Sequence, residues 1–129
     1  MDDFNNDGHY DLFLTGRFSP RYYLSTGELQ FIDATHTLPE GTPAKSASAS
    51  AIDIDLDGDI DIFIGGYKEP NAVLLNDGTG VFTDGTENSG FIEHDYRTVG
   101  SSWADFDLDG DLDVYISNYG VPQGPADPS

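Results

Sequence analysis

Alternating carboxylates around a glycine dominate the chemistry open to this chain. In Asp53-Ile54-Asp55-Leu56-Asp57-Gly58-Asp59-Ile60-Asp61, aspartate holds every odd position and glycine holds position 6. Hard cations prefer oxygen donors, and Ca²⁺ takes roughly six to eight of them at about 2.3–2.6 Å. Alternation turns Asp53, Asp55, Asp57 and Asp61 inward while Ile54, Leu56 and Ile60 point away. Gly58 permits the sharp turn that wraps the backbone round an ion. Asp59, at position 7, offers its backbone carbonyl.

The loop occurs three times. The first copy is Asp3-Phe4-Asn5-Asn6-Asp7-Gly8-His9-Tyr10-Asp11 and the third is Asp105-Phe106-Asp107-Leu108-Asp109-Gly110-Asp111-Leu112-Asp113. The copies are offset by 50 and 52 residues, from Asp3 to Asp53 and from Asp53 to Asp105. Such a period signals stacked or radially arranged units. One acidic loop alone would read as a solvated turn; three with the same spacing read as cation sites, about one Ca²⁺ per loop. The candidate ligands are Asp3, Asn5, Asp7 and Asp11, then Asp53, Asp55, Asp57 and Asp61, then Asp105, Asp107, Asp109 and Asp113. His9, Asp59 and Asp111 complete the sets through their carbonyls. Loop one, with Asn5 and His9 in place of aspartate, is expected to bind most weakly.

An EF-hand begins in a similar way but needs a bidentate Glu at position 12, between two helices. Here position 12 is Leu14, Ile64 and Ile116. Each loop instead runs into a segment that suits a strand: Leu12-Phe13-Leu14, Ile62-Phe63-Ile64 and Val114-Tyr115-Ile116. The closing aspartate is thus expected to open a strand.

The chain has 129 residues, one domain's worth at most, and a formal charge of −19. That charge argues against nucleic-acid or anionic membrane partners. The acid is concentrated, since the three loops hold 13 of the 24 Asp and Glu residues. Carboxylates ~4 Å apart repel by about 4 kcal/mol per pair at an effective dielectric near 20. Clusters of this kind need a counter-ion, and three Ca²⁺ would still leave a charge of −13. Cysteine is absent, which excludes disulfides and sulfur-based zinc sites. No apolar run approaches the ~20 residues of a membrane span, and no signal-peptide pattern opens the chain. With a loop following Met1 at once, the chain reads as an excised piece of a longer protein, or a short product without its leader.

Taken in order, residues 10–15 read as a strand. Tyr22–Leu24 and Leu29–Ile32 flank a turn at Ser25–Glu28. Residues 35–45 form a loop, and the small residues 45–52 form a strand in a crowded place. Residues 61–65 follow as a strand, and a hairpin turns at Asp77-Gly78-Thr79-Gly80. Residues 85–97 are a polar connection, 98–104 a strand, and 121–129 a Pro-rich tail expected to fray. The unit is strand, loop, strand, hairpin. The predicted fold is all-β: blades of four antiparallel strands forming a partial propeller of about two and a half blades. The units are approximately residues 1–35, 46–85 and 98–120, within one segment spanning 1–120.

Asn71-Ala72-Val73-Leu74-Leu75-Asn76-Asp77-Gly78-Thr79-Gly80-Val81-Phe82-Thr83-Asp84 and Ser102-Trp103-Ala104-Asp105-Phe106-Asp107, with the repeated loops, resemble the FG-GAP/VCBS repeat family. That family is similar to the calcium-binding blades of integrin α-subunits and to ASPIC/UnbV-type bacterial proteins. The resemblance covers nearly all of residues 3–119. It implies a β-propeller of usually about seven blades, Ca²⁺ between the first two strands of a blade, and an extracellular or cell-surface setting. It also implies a recognition or adhesion module whose ligand is a protein or glycan. Three loops are too few to close such a ring, so further blades or self-association are expected partners. The alternative is the propeller portion of an extracellular carbohydrate-active enzyme, such as a polysaccharide lyase.

Other chemistries are weaker. Two carboxylates can hydrolyse glycosides, but those here are better read as ligands. His9, His36 and His94 are scattered and read as solvated. No Gly-x-Ser-x-Gly elbow occurs. Gly78-Thr79-Gly80 lacks the lysine and helix of a P-loop. Tyr22, Tyr23, Tyr67, Tyr96 and Tyr119 could line a carbohydrate surface, although packing is the commoner role; Trp103 reads as core. No catalytic residue is assigned, and the segment is expected to be non-enzymatic.

Overall fold

The computed structural model describes residues 1–91 and 97–120. Its regular elements are nine strands and two short 3₁₀ turns, at Thr35–Thr37 and Thr86–Asn88. The strands make three antiparallel sheets, none of them closed. The first joins β1 (Leu12–Leu14), β2 (Arg21–Gly27) and β3 (Gln30–Asp33). The second joins β4 (Ser46–Ile52), β5 (Asp61–Gly66), β6 (Ala72–Asn76) and β7 (Phe82–Asp84) in sequence order. The third pairs β8 (Arg97–Ala104) with β9 (Asp113–Tyr119). Among the described residues no helix is long and apolar enough to cross a membrane.

The acidic loops join β4 to β5 and β8 to β9. Asp61 and Asp113 are the first residues of β5 and β9, as the sequence predicts. Asp11 instead makes an isolated bridge with Asp2 and β1 starts one residue later, so that bridge stands where the other units have a full inner strand.

The first hairpin turns later than its sequence suggests. Ser25 and Gly27 belong to β2, and the turn is Glu28-Leu29, with Gly27 opposite Gln30. Both turn residues have positive φ, 51° and 60°, as a two-residue turn matched to strand twist requires. Gly27 serves a bulge within the strand rather than the turn.

β5 is buried along its whole length because it is packed on both faces. Ile62 and Ile64, with Leu74 and Phe82, meet Phe4, Tyr22 and Ala34 of the first unit. Phe4, Tyr22 and Phe82 pack edge to face, with centroids 5.3–5.9 Å apart. On the other face Phe63 lies 5.1 Å from Phe91 and 5.5 Å from Trp103 of the third unit. Trp103 is half-buried rather than core. The small residues of β4 let β8 approach closely. Ser48 Oγ donates to the Thr98 carbonyl at 2.8 Å, and the Ser50 and Ser101 hydroxyls lie 2.8 Å apart. A Cβ on Gly65 would collide with Ser48 and the Thr98 carbonyl.

One side chain ties the first two units together. The buried Asn76 amide donates to the Phe4 carbonyl at 2.8 Å and to the Ile60 carbonyl at 2.9 Å. Its oxygen accepts the N–H groups of Gly78 and Gly80, each at 3.1 Å. Asn76→Ala would leave buried carbonyls without donors, at about 1–3 kcal/mol for such groups. The expected outcome is a lower urea midpoint with an unchanged m-value.

Candidate metal centre

Each loop is organised by backbone N–H groups pointing at its carboxylates. In loop two, Gly58 N–H donates to Asp53 Oδ2 at 3.0 Å, Asp57 N–H to Asp55 Oδ1 at 3.3 Å, and Asp59 N–H to Asp57 Oδ1 at 2.9 Å. Loop three repeats this on Asp105, Asp107 and Asp109, with donors at 2.9–3.2 Å. Loop one repeats it on Asp3, Asn5 and Asp7. The spacing that suggested ligation therefore also builds the turn.

The closing aspartates do a different job. Asp61 Oδ2 accepts from Ile54 N–H and Oδ1 from Asn76 N–H, both at 2.8 Å. Asp11 accepts in the same way from Phe4 and Ser25. Each fastens its loop to the following hairpin, and both are fully buried. Asp113 is half-buried and accepts from Phe106 N–H at 2.9 Å. Burial raises the pKa of Asp61 and Asp11, and nearby loop carboxylates push in the same direction. Asp55 is raised too, first by desolvation and then by Asp57.

The aspartates come close enough to share one ion. Carboxylate oxygens of Asp53, Asp55 and Asp61 lie within 4.8 Å of one another, as do those of Asp105, Asp107 and Asp109. Asp53 Oδ1 is buried and has no hydrogen-bond partner among the described residues. A carboxylate oxygen withdrawn from water is costly unless a donor or cation meets it, so this donor set fits a hard cation. Loop one forms no such carboxylate trio among the described residues; Asn5 supplies an amide oxygen instead. The position 7 side chains turn elsewhere. The Asp59 carboxylate lies against Gly78 and accepts from Asn6 Nδ2 at 3.2 Å, while the His9 ring lies against Gly27. Asp111 is exposed. His94 and Tyr96 lie outside the described residues, and Tyr22 is core, its hydroxyl donating to the Gly80 carbonyl at 3.0 Å.

Position 4 is a feature that sequence reasoning misses. Asn6, Leu56 and Leu108 all have left-handed φ, at 56°, 61° and 62°. Gly8, Gly58 and Gly110 at position 6 follow at 90°, 98° and 98°, with nothing near enough to meet a Cβ. Glycine is needed there for conformation, not for space. Only Asn6 carries a local signal for the left-handed region. Asn76 is likewise visible in the sequence only as part of a hairpin.

The model of the FG-GAP-like repeat matches twice, over residues 3–64 and 53–116. The chain belongs to the FG-GAP-like repeat family. Each match runs from one loop through the next and ends in the strand that follows it. No curated protein and no solved structure matches the chain.

Two outcomes follow. Leu108 is 87% exposed, so Leu108→Asn loses little burial and relieves part of a left-handed strain worth about 1–2 kcal/mol. The melting temperature of the calcium-free chain should rise by a few degrees. The raised pKa values of Asp11, Asp55 and Asp61 mean that the folded chain binds more protons than the unfolded one between the unfolded and folded values. Calcium-free stability therefore falls as pH rises through that window. Saturating calcium should reverse the slope, because protons then compete with the ion; melting curves from pH 4 to 7 with chelator and with calcium check this.

Proposed function

We propose that this segment is part of a calcium-binding β-propeller, its loops holding Ca²⁺ for structural reasons and its outer surfaces serving recognition or adhesion outside the cell. The observation that carries the reading is the Asp53, Asp55 and Asp61 cluster with its unpartnered buried oxygen, on a loop scaffold used three times. Side chains at positions 1, 3, 5 and 9 would hold the ion, with the carbonyls of His9, Asp59 and Asp111 completing the sets. A bound cation would cancel the repulsion within each loop.

The chain's own groups have already fixed the turns through backbone donors, so loading would need little rearrangement. The ligands at positions 3 and 5 of loops two and three are exposed. Extracellular calcium modules work with dissociation constants of about 10⁻⁴–10⁻³ M, and we expect these open loops to fall in that range. The loop carboxylates at positions 1, 3, 5 and 9 are engaged as hydrogen-bond acceptors. That supports a ligand role, and we read the segment as non-enzymatic.

Native mass spectra with and without calcium test this. Uptake of up to three ions is expected, with loop one filling last. Calcium at 100 times its dissociation constant should stabilise the fold by about 2.7 kcal/mol per site. Asp53→Asn with Asp55→Asn should remove one ion and leave the others. Absence of specific uptake, or an unchanged ion count in the double variant, would refute the reading.

A further inference from the structure

The first two loops are linked side chain to side chain, at a position where the other loops have no group to offer. Asn6, at position 4 of loop one, reaches into the second unit. Its Nδ2 donates to Asp59 Oδ1 at 3.2 Å and to the Gly78 carbonyl at 3.1 Å. Asp59 is position 7 of loop two, and Gly78 belongs to the hairpin that turns after β6. Position 4 of loops two and three is leucine, which has no donor. Leu56 therefore cannot hold Asp111 as Asn6 holds Asp59, and Asp111 is exposed.

Each end of this bridge adjoins groups that a loaded loop needs. Asn6 lies between Asn5 and Asp7, the ligands at positions 3 and 5, and its φ of 56° sets the direction of the chain from one to the other. Asp59 donates its N–H to Asp57 Oδ1 at 2.9 Å, and its carbonyl is the position 7 donor. Fixing the Asp59 backbone for loop two also fixes the acceptor that Asn6 uses. Fixing Asn6 for loop one fixes the donor that Asp59 meets. Asn6 is exposed, so packing does not impose its order. A second link between the same loops differs in this respect. The Asn76 amide on the Phe4 and Ile60 carbonyls is buried, and packing holds it whatever the loops contain.

We infer that Asn6 couples loop one to loop two, so that filling either one raises the affinity of the other. The entropy of ordering a shared element is lost only once, so the second loop to fill loses less. Linkage makes the effect reciprocal. One hydrogen-bonded bridge at the surface carries a modest factor, about threefold. The loop with the poorest ligand set, loop one, is thus helped by a neighbour that has already filled. Loop three shares no such bridge and fills independently of loop two. The inference rests on the calcium reading and adds to it which loops act together.

The test follows the backbone amide resonances of Gly8, Gly58 and Gly110 in the 129-residue chain through a calcium titration, one reporter for each loop. Removing site two with Asp53→Asn and Asp55→Asn should raise the calcium midpoint of loop one about threefold and leave that of loop three unchanged. In an Asn6→Leu background the same removal should no longer move loop one. Leucine already stands at position 4 of the other loops with left-handed φ, so the backbone accepts it. Asn6→Asp keeps a side chain suited to that region but has no N–H to give, and it should uncouple the loops in the same way. Three outcomes would overturn the inference while leaving calcium binding intact: a loop one midpoint indifferent to loop two in the unaltered chain, the same shift persisting in both Asn6 variants, or an equal shift at Gly110. Glycine signals that ignore calcium altogether would overturn the calcium reading and the coupling with it.

Discussion

The closing aspartate is the interaction on which the rest of the structure depends. Asp61 is buried, opens the central strand, and divides its two oxygens between the loop, through Ile54 N–H, and the hairpin, through Asn76 N–H. Three pieces of chain that are distant in sequence therefore meet at one carboxylate. Hydrogen bonds to a charged acceptor are roughly twice as strong as neutral ones, and two of them offset part of the cost of burying the charge. They do not offset all of it, because the pKa is still raised by burial. A residue that is both the last loop position and the first strand residue couples whatever happens in the loop to the register of the sheet.

The same economy explains the local strain. A nine-residue loop that turns four side chains inward needs two left-handed positions, and the second is glycine in every copy. The first is leucine in two copies, which costs more than asparagine would. Leu56 and Leu108 are mostly exposed and contribute little burial in return. Strained backbone persists where the surroundings over-determine it, and here the surrounding constraint is the set of backbone donors that hold Asp53 and Asp105.

Much of this is legible in the sequence. Three copies of one spacing give the period, Asp61 and Asp113 mark the starts of strands, and Asp77-Gly78-Thr79-Gly80 marks a hairpin. Ser46 to Ile52 reads correctly as a strand because its small residues match those before loop three. The features that escape are those set by neighbours. The turn at Glu28-Leu29 carries no glycine, so local propensity points two residues upstream. Asn76 looks like any turn-flanking asparagine until the preceding unit brings the Phe4 carbonyl to it. Asp59 reads as a donor through its carbonyl, and nothing in the sequence tells that its side chain meets Asn6 of the preceding unit. Repeats reveal themselves by period, but the contacts between them appear only once they are packed.

Arg17 follows β1, Arg21 opens β2, Lys45 precedes β4, Lys68 follows β5 and Arg97 opens β8. Antiparallel alternation places all of these at the end of the sheets away from the acidic loops. Arg21 spends its charge there on Asp33, at 4.0 Å and exposed, and Arg97 lies over the Tyr67 ring, 4.4 Å from its centroid. With every lysine and arginine at the opposite end, no cationic side chain among the described residues meets a loop carboxylate at contact distance. Interactions across the length of a strand exceed the ~8 Å screening length of physiological salt. Among the described residues the loop carboxylates are met by backbone donors and not by cationic side chains, and those donors decide how each carboxylate is aimed.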